Sequence, residues 1–339
     1  MRAAVDVMGG DFAPGAVLQG CWDAAPLLHD GDVVHLVGDQ AVIDRGLQAS
    51  GLASDKLAHY KIVPSTQVVG MDDPPVEAIR SKPDSSIAVM CKLASRGEAD
   101  VVISAGNTGA CVAAAQLRMR LLAGVNRPGI GVIVPTSHGP VVFCDVGANP
   151  EPKPKHLLQY AIMAGAYSTA VCNVKNPRVG LLSIGEEDAK GNTLVKKTRK
   201  LLKDEPLVNF MGNIEGRDLL SGVVDVVVCD GFVGNIVLKF IEGLVDTLFK
   251  GLAADLRESV PNLMPQLKPA LDRVYRRHDW RDYGGAPLLG VDGYCLICHG
   301  RSDARAITSA IRVGKQLSGS GINEKIVQTI QRTIPVEED

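Results

Sequence analysis

Four apolar runs in this chain stop in the same manner, with glycine and an aspartate or asparagine close behind and residues at helical spacing after them. They are the runs that end after Val5, Ile103, Phe143 and Val228. A β-branched run that hands over to a helix through small residues is a strand–loop–helix unit. Its repetition along a chain predicts βαβ units and a mostly parallel sheet. The clearest copy is Asp100–Ala110, where Val101, Val102 and Ile103 lead into Ser104, Gly106, Asn107, Thr108 and Gly109. A helix that begins in such a loop has unpaired N–H groups and a partial positive charge at its start, which suits an anion. Small residues at a strand-to-helix corner also serve simply to turn the chain. Repetition favours the ligand: in an open α/β sheet the strand ends share one edge, so four decorated corners predict one pocket there.

The rest of the composition narrows the function by exclusion. With 339 residues and 46% hydrophobic side chains the chain can bury a large core, and aromatics at 4% make that core aliphatic. A formal net charge of −2 and the lack of any block of five like charges offer no field for nucleic acid. The opening MRAAVDVMGG enters a strand at once, so no secretory signal is expected. No apolar stretch reaches the roughly 18 residues of a membrane span, and the cytosol is the expected compartment. The eight cysteines are scattered through apolar runs as small hydrophobes. Cys295, Cys298 and His299 spell C-x-x-C-H, but the triplet lies in a strand, so neither haem nor zinc is expected. The dinucleotide glycine fingerprint, the Walker loop, the G-x-S-x-G elbow and H-E-x-x-H are all missing.

Three further stretches carry candidate functions. Met71–Ser86 reads as a surface loop with one short helix, bearing Arg80 and Lys82 as anion ligands or as solvated charges. Residues 232–260 read as a long amphipathic helix, with Val237, Ile241, Leu244, Leu248, Leu252 and Leu256 on one side. That side packs in the core, against a second subunit, or on lipid. After Pro261 a second helical piece gathers Lys268, Arg273, Arg276 and Arg277, a basic cluster fit for an acidic partner, an anionic membrane or open solvent. Finally, glycines 284, 285, 290 and 293 bracket a hairpin, and Gly300, Arg301 and Ser302 precede a helix start, a further anion site.

Seven blocks then carry a resemblance: DVMGGDFAP, SAGNTGA, DVGANPEPKPKHLLQYA, GLLSIGEEDAKGN, GNIEGRDLLSGVVDVVVCDGFVGNIVLK, YGGAPLLGVDG and HGRSDARAI. Together they resemble the bacterial phosphate acyltransferases of phospholipid synthesis, in the family's order and from Asp6 to about Ile307. Val7 and Ser183 stand where that family is expected to have Ala and Asn, and Cys298 where it is expected to have Gly. The resemblance implies an αβα sandwich with a mostly parallel sheet, similar to phosphotransacetylases and isopropylmalate-type dehydrogenases. Residues 1–339 are then one catalytic domain, with 232–280 a helical projection within it.

It also implies transfer of a long-chain acyl group from acyl carrier protein to inorganic phosphate, without a cofactor. The product feeds a membrane glycerol-3-phosphate acyltransferase, and the enzyme is a homodimer peripherally associated with an anionic membrane surface. On this reading Ser104, Gly106, Asn107 and Thr108 hold phosphate, assisted by Lys82 or Arg301. Asn107, Asn149, Asn235 or His299 serve the reacting carbonyl, and Asp6 and Asp230 orient partners. Glu215 and Arg217 fall in a family block with no role that their chemistry assigns. Arg273, Arg276 and Arg277 dock the acidic carrier, and Leu248, Leu252 and Leu256 touch the membrane. The alternatives are a phosphotransacetylase-like enzyme using acyl-CoA, a non-catalytic acyl-carrier or lipid sensor, and a dehydrogenase that lacks the usual fingerprint.

Overall fold

The computed structural model describes residues 1–277 and 279–333, with the side chains of Arg276, Arg277 and Trp280 also outside the description. Eleven strands occur among the described residues: β1 (Arg2–Asp6), β2 (Val33–Gly38), β3 (Tyr60–Pro64), β4 (Val101–Ser104), β5 (Gly129–Thr136) and β6 (Gly139–Cys144) come first. They are followed by β7 (Val179–Leu182), β8 (Phe210–Ile214), β9 (Val226–Val228), β10 (Ala286–Leu289) and β11 (Tyr294–Ile297). All join one sheet in the order β3-β2-β1-β4-β11-β10-β5-β6-β9-β7-β8.

The sheet is covered on both faces, which explains why its strands read as unbroken apolar runs. Side chains alternate between the two faces with period two. Ala3 and Val5 of β1, Val101 and Ile103 of β4, and Val226 and Val228 of β9 belong to one core. Ala4, Val102 and Val227, between them, belong to the other. Helices Pro154–Cys172 and Ala304–Ser318 pack on the first face, and Ser86–Ser95 and Thr108–Ala114 on the second. The molecule is thus an αβα sandwich. Of the C-x-x-C-H triplet, Cys295 belongs to one core and Cys298, just past the end of β11, to the other.

One expectation is corrected by the register. Strands β3, β2, β1, β4 and β11 run parallel, but β10 is antiparallel to both β11 and β5, and β5 is antiparallel to β6. Beyond β6, strands β9, β7 and β8 follow its direction. The ends after Val5 and Ile103 therefore point opposite to those after Phe143 and Val228, rather than along one edge. They still meet. Ser104 pairs with Ile297, Ile297 with Ala286, and Leu288 with Ile130, which brings Ala286 level with Val132, the partner of Phe143. Two sets of strand ends thus approach one level from opposite sides.

The long helix predicted over 232–260 spans Gly231–Ser259, and its first turn is fixed by a close approach. A Cβ on Gly234 would lie 1.9 Å from the Asp145 carbonyl oxygen, so only glycine lets the helix backbone sit there. Asp230 caps it, its Oδ1 accepting from the Val233 N–H at 2.8 Å. Phe232 within that turn, and Ile236, Phe240, Leu244, Leu248 and Leu252 beyond it, are exposed. A short helix, Met264–Arg277, returns beside it, with Tyr275 edge-on to Phe249. Among the described residues, no helix is long and apolar enough to cross a membrane.

Candidate active site

Where the two sets of strand ends meet there is a cavity of about 160 Å³. Thr108 reaches it from the corner after β4, Val146 from the corner after β6, and His299 and Ser302 from the loop after β11. The opening turns of the long helix close it with Asn235, Leu238, Lys239 and Glu242. Apolar residues of β5, β10 and β11, among them Ile130, Val132, Ala286 and Ile297, form the remaining wall.

The polar groups of this wall have distinct states. His299 Nδ1 accepts the Arg301 N–H at 3.1 Å, so the neutral ring carries its proton on Nε2. Burial, and then the Lys239 cation, hold this imidazole below its usual range, which keeps it neutral and a hydrogen-bond donor near pH 7. Lys239 is paired with Glu242 at 2.8 Å, an i,i+3 pair on the same helix. The Asn235 amide makes no hydrogen bond to another described residue. Ser302 is buried, and its Oγ finds no partner among the described residues. A buried hydroxyl without a partner costs about 1–3 kcal/mol, and one in a cavity wall is available to whatever fills the cavity.

Several residues expected to touch a ligand are engaged elsewhere. Ser104 Oγ donates to Asp6 Oδ2 at 2.7 Å and accepts the Gly106 N–H at 3.0 Å, all of it buried. Asp6 is a carboxylate raised by burial, with Ser86, Ser104 and two backbone N–H groups pulling the other way. Asn107 caps helix Thr108–Ala114 through Oδ1, and its amide hydrogens are shared among the carbonyls of Gly70, Met71 and Asp73 at 3.0 to 3.2 Å. It latches a loop and has no donor left for phosphate. Lys82 is bound to Asp73 at 2.5 Å and to the Val68 carbonyl at 3.0 Å. The Asn149 amide donates to the Pro128 carbonyl at 2.6 Å and to the Tyr160 hydroxyl at 2.7 Å. Glu215 pairs with Arg217 at 3.1 Å and lies away from the cavity wall. Of the expected phosphate ligands, Thr108 lines the cavity and Arg301 flanks it, its guanidinium exposed and without an ion pair among the described residues.

The second corner has its own buried carboxylate. Asp145 accepts the N–H groups of Ile130, Ala148 and Asn149 at 2.7 to 3.0 Å, and that of Gly147 at 3.2 Å. Burial raises it despite those bonds. Asp6 and Asp145 are therefore scaffolding, one for each set of strand ends.

A family described as fatty acid synthesis protein matches residues 1–325. The phosphate acyltransferase of Heliobacterium modesticaldum is 45% identical over 338 residues, covering 99% of this chain and 98% of its own length. The chain belongs to the phosphate acyltransferase family. A second relative, the phosphate acyltransferase of Nitratidesulfovibrio vulgaris, is 43% identical over 96% of this chain and 94% of its own. Among solved structures, a phosphotransacetylase from Streptococcus pyogenes superposes with a TM-score of 0.59 at 16% identity, covering 98% of this chain and 94% of that one. A 4-hydroxythreonine-4-phosphate dehydrogenase from Klebsiella pneumoniae gives 0.53 at 13%, over 94% of this chain and 99% of that one. These two share the fold.

Within this phosphate acyltransferase fold, Lys239, Glu242 and Tyr283 are polar cavity residues that the sequence did not single out as ligands, whereas Ser302 was named with Gly300 and Arg301 as an anion site. A signal for the first two was present. Asn235, Lys239 and Glu242 are spaced by four and three, so an asparagine facing the cavity carries them with it. The basic cluster is set apart from this cavity: Arg273 is exposed on helix Met264–Arg277, and the side chains of Arg276 and Arg277 lie outside the described residues.

Proposed function

We propose that the protein transfers a long-chain acyl group from acyl carrier protein to inorganic phosphate, releasing an acyl phosphate for phospholipid synthesis. Family membership supports acyl transfer to phosphate. The observation that carries the reading further is the cavity itself, where a neutral imidazole, an amide and two hydroxyls border an apolar wall. Such a site suits a thioester carbonyl, an oxyanion and a greasy chain together.

Phosphate needs no enzyme base: its second ionisation lies near neutrality, so a substantial share is already dianionic and nucleophilic at neutral pH. Its oxygen attacks the thioester carbon, the C–O bond forms, and the carbonyl electrons collect on oxygen. His299 Nε2–H and the Asn235 amide donate to that oxyanion, and Thr108 and Ser302 donate to phosphate oxygens. Collapse breaks the C–S bond and expels a thiolate, whose conjugate thiol has a pKa of about 8.5. Holding the two reactants in register and stabilising the developing charge are the protein's contributions. An acyl-enzyme thioester has no support, because burial pushes the Cys298 thiol in the cavity wall up to about 12.

The same reading assigns the outer parts. The exposed side of the long helix, with Leu248 and Leu252 and with Leu256 half-buried, meets an anionic membrane surface near the downstream glycerol-3-phosphate acyltransferase. Arg273, with Arg276 and Arg277, docks the acidic carrier, and two copies form a homodimer in the cytoplasm. Residues 1–339 act as one catalytic unit with 232–280 as its projection. The test is phosphate-dependent loss of thioester from palmitoyl-acyl carrier protein, with acyl phosphate trapped by hydroxylamine. Trapped product that disappears when phosphate is omitted is expected. A folded protein that turns over palmitoyl-CoA but not the carrier thioester would replace the donor, and no turnover of either would leave a sensor.

A further inference from the structure

The cavity is too small for the substrate proposed for it. Its volume is about 160 Å³. A dry apolar cavity of about 150 Å³ holds benzene, a ligand of six carbons, and the bound phosphate must share the polar part of the space. A chain of about sixteen carbons therefore leaves most of its length outside.

The wall has a direction. Thr108, Asn235, His299 and Ser302 come from loops and helix starts, where the reacting head would sit. Ile130, Val132, Val146, Leu238, Ala286 and Ile297 pack with one core of the sheet, and Ile133, Tyr283 and Cys298 with the other, so packed side chains bound the space for carbon on both sides. A packed interior does not stretch to admit extra methylenes, because overfilling it forces side chains off their rotamers.

We propose that the protein reads an acyl donor over no more than about its first six carbons, and that Ala286 and Val146 help set that limit. This rests on the acyl-transfer reading of the same cavity. Chain length beyond the limit is unselected, whereas branching or a polar group within it is rejected.

The experiment measures kcat/KM at saturating phosphate for the full-length protein, with acyl carrier protein charged with chains of four to sixteen carbons. Each methylene buried in the cavity should raise kcat/KM about fourfold, and the climb should flatten near six carbons. Ala286→Leu should move the break about two carbons shorter, and Val146→Ala should move it longer. Any preference contributed by the carrier is common to all three proteins and cancels in the comparison. Thermal unfolding checks that each variant is folded, and either one moving the break in its predicted direction supports the proposal. A steady climb to sixteen carbons, or a break that neither folded variant moves, overturns the inference and leaves the acyl-transfer reading standing. No phosphate-dependent product at any length overturns both.

Discussion

Helix Pro154–Cys172 and helix Gly231–Ser259 are both apolar enough to belong to a core, and the fold treats them in opposite ways. The first buries ten residues, including Leu157, Tyr160, Met163 and Tyr167. The second buries only Gly231 and Gly234, and leaves Phe240 66% and Leu248 61% exposed. Apolar periodicity says that a helix will form and which side is greasy, but it does not say what covers that side. The second helix is held at its base, by the Asp230 cap and by the contact of Gly234 with the Asp145 carbonyl, and runs outward from there. Its base is also a wall of the cavity, so anchoring and chemistry share the same two turns.

The comparison can be broken most severely at that base. Gly234→Val should cost turnover on the scale of a lost oxyanion donor, about 10²- to 10³-fold, because the helix start must move and take Asn235 and Lys239 with it. Steady-state kinetics on the folded variant would show this, and near-normal turnover would mean that the first turn does not hold the wall. Next in size is a matched pair on the two helices. Leu157→Ala should lower stability by about 2–5 kcal/mol, whereas Leu248→Ala should stay within about 0.5 kcal/mol. Denaturant unfolding measures both, and equal losses would mean that Leu248 is covered in solution, as in a dimer.

A smaller effect concerns pH. Burial and Lys239 depress the His299 imidazole, so the protonated form, whose Nδ1 can no longer accept the Arg301 N–H that orients the ring, appears only below the ordinary histidine range. Lys239→Met removes a repelling cation and leaves Glu242 unpaired, and both changes raise the imidazole. The acid limb of kcat/KM should therefore move to higher pH in the variant, with phosphate's own titration common to both proteins. A limb that stays in place would remove His299 from the reacting centre. Smallest in its effect on the folded enzyme is Leu252→Glu on the outward side. It should leave turnover in solution unchanged and reduce sedimentation with anionic liposomes, and full retention on liposomes would place the membrane contact elsewhere.

The architecture was largely legible because its signals are local. β-Branched runs, corner glycines and the caps of Asn107 and Asp230 act within a few residues, so the strand–loop–helix units after Val5, Ile103 and Val228 follow from the chain. The site was legible only in part. Ser104, Asn107 and Asn149 have the right chemistry for phosphate or an oxyanion, but their hydrogen-bonding capacity is taken by distant partners. Asp6 lies 98 residues from Ser104, Gly70 lies 37 from Asn107, and Pro128 lies 21 from Asn149. No spacing rule reports whether a donor is already satisfied. Ser302 was read only as part of a stretch before a helix start, since a hydroxyl left without a partner among the described residues is defined only by what surrounds it.

By itself the sequence determined the building units: which runs are strand and where helices begin, since these depend on side-chain period and on caps. The tertiary structure decided how the units face one another. The antiparallel strands β10, β5 and β6 reverse the direction of the second half of the sheet and set its register against the first. Strand pairing joins residues that are remote along the chain, and a hydrophobic pattern is the same whichever direction a strand runs. That reversal brings two sets of corners together around one cavity, and it leaves the long helix with its base in the site and its greasy side uncovered.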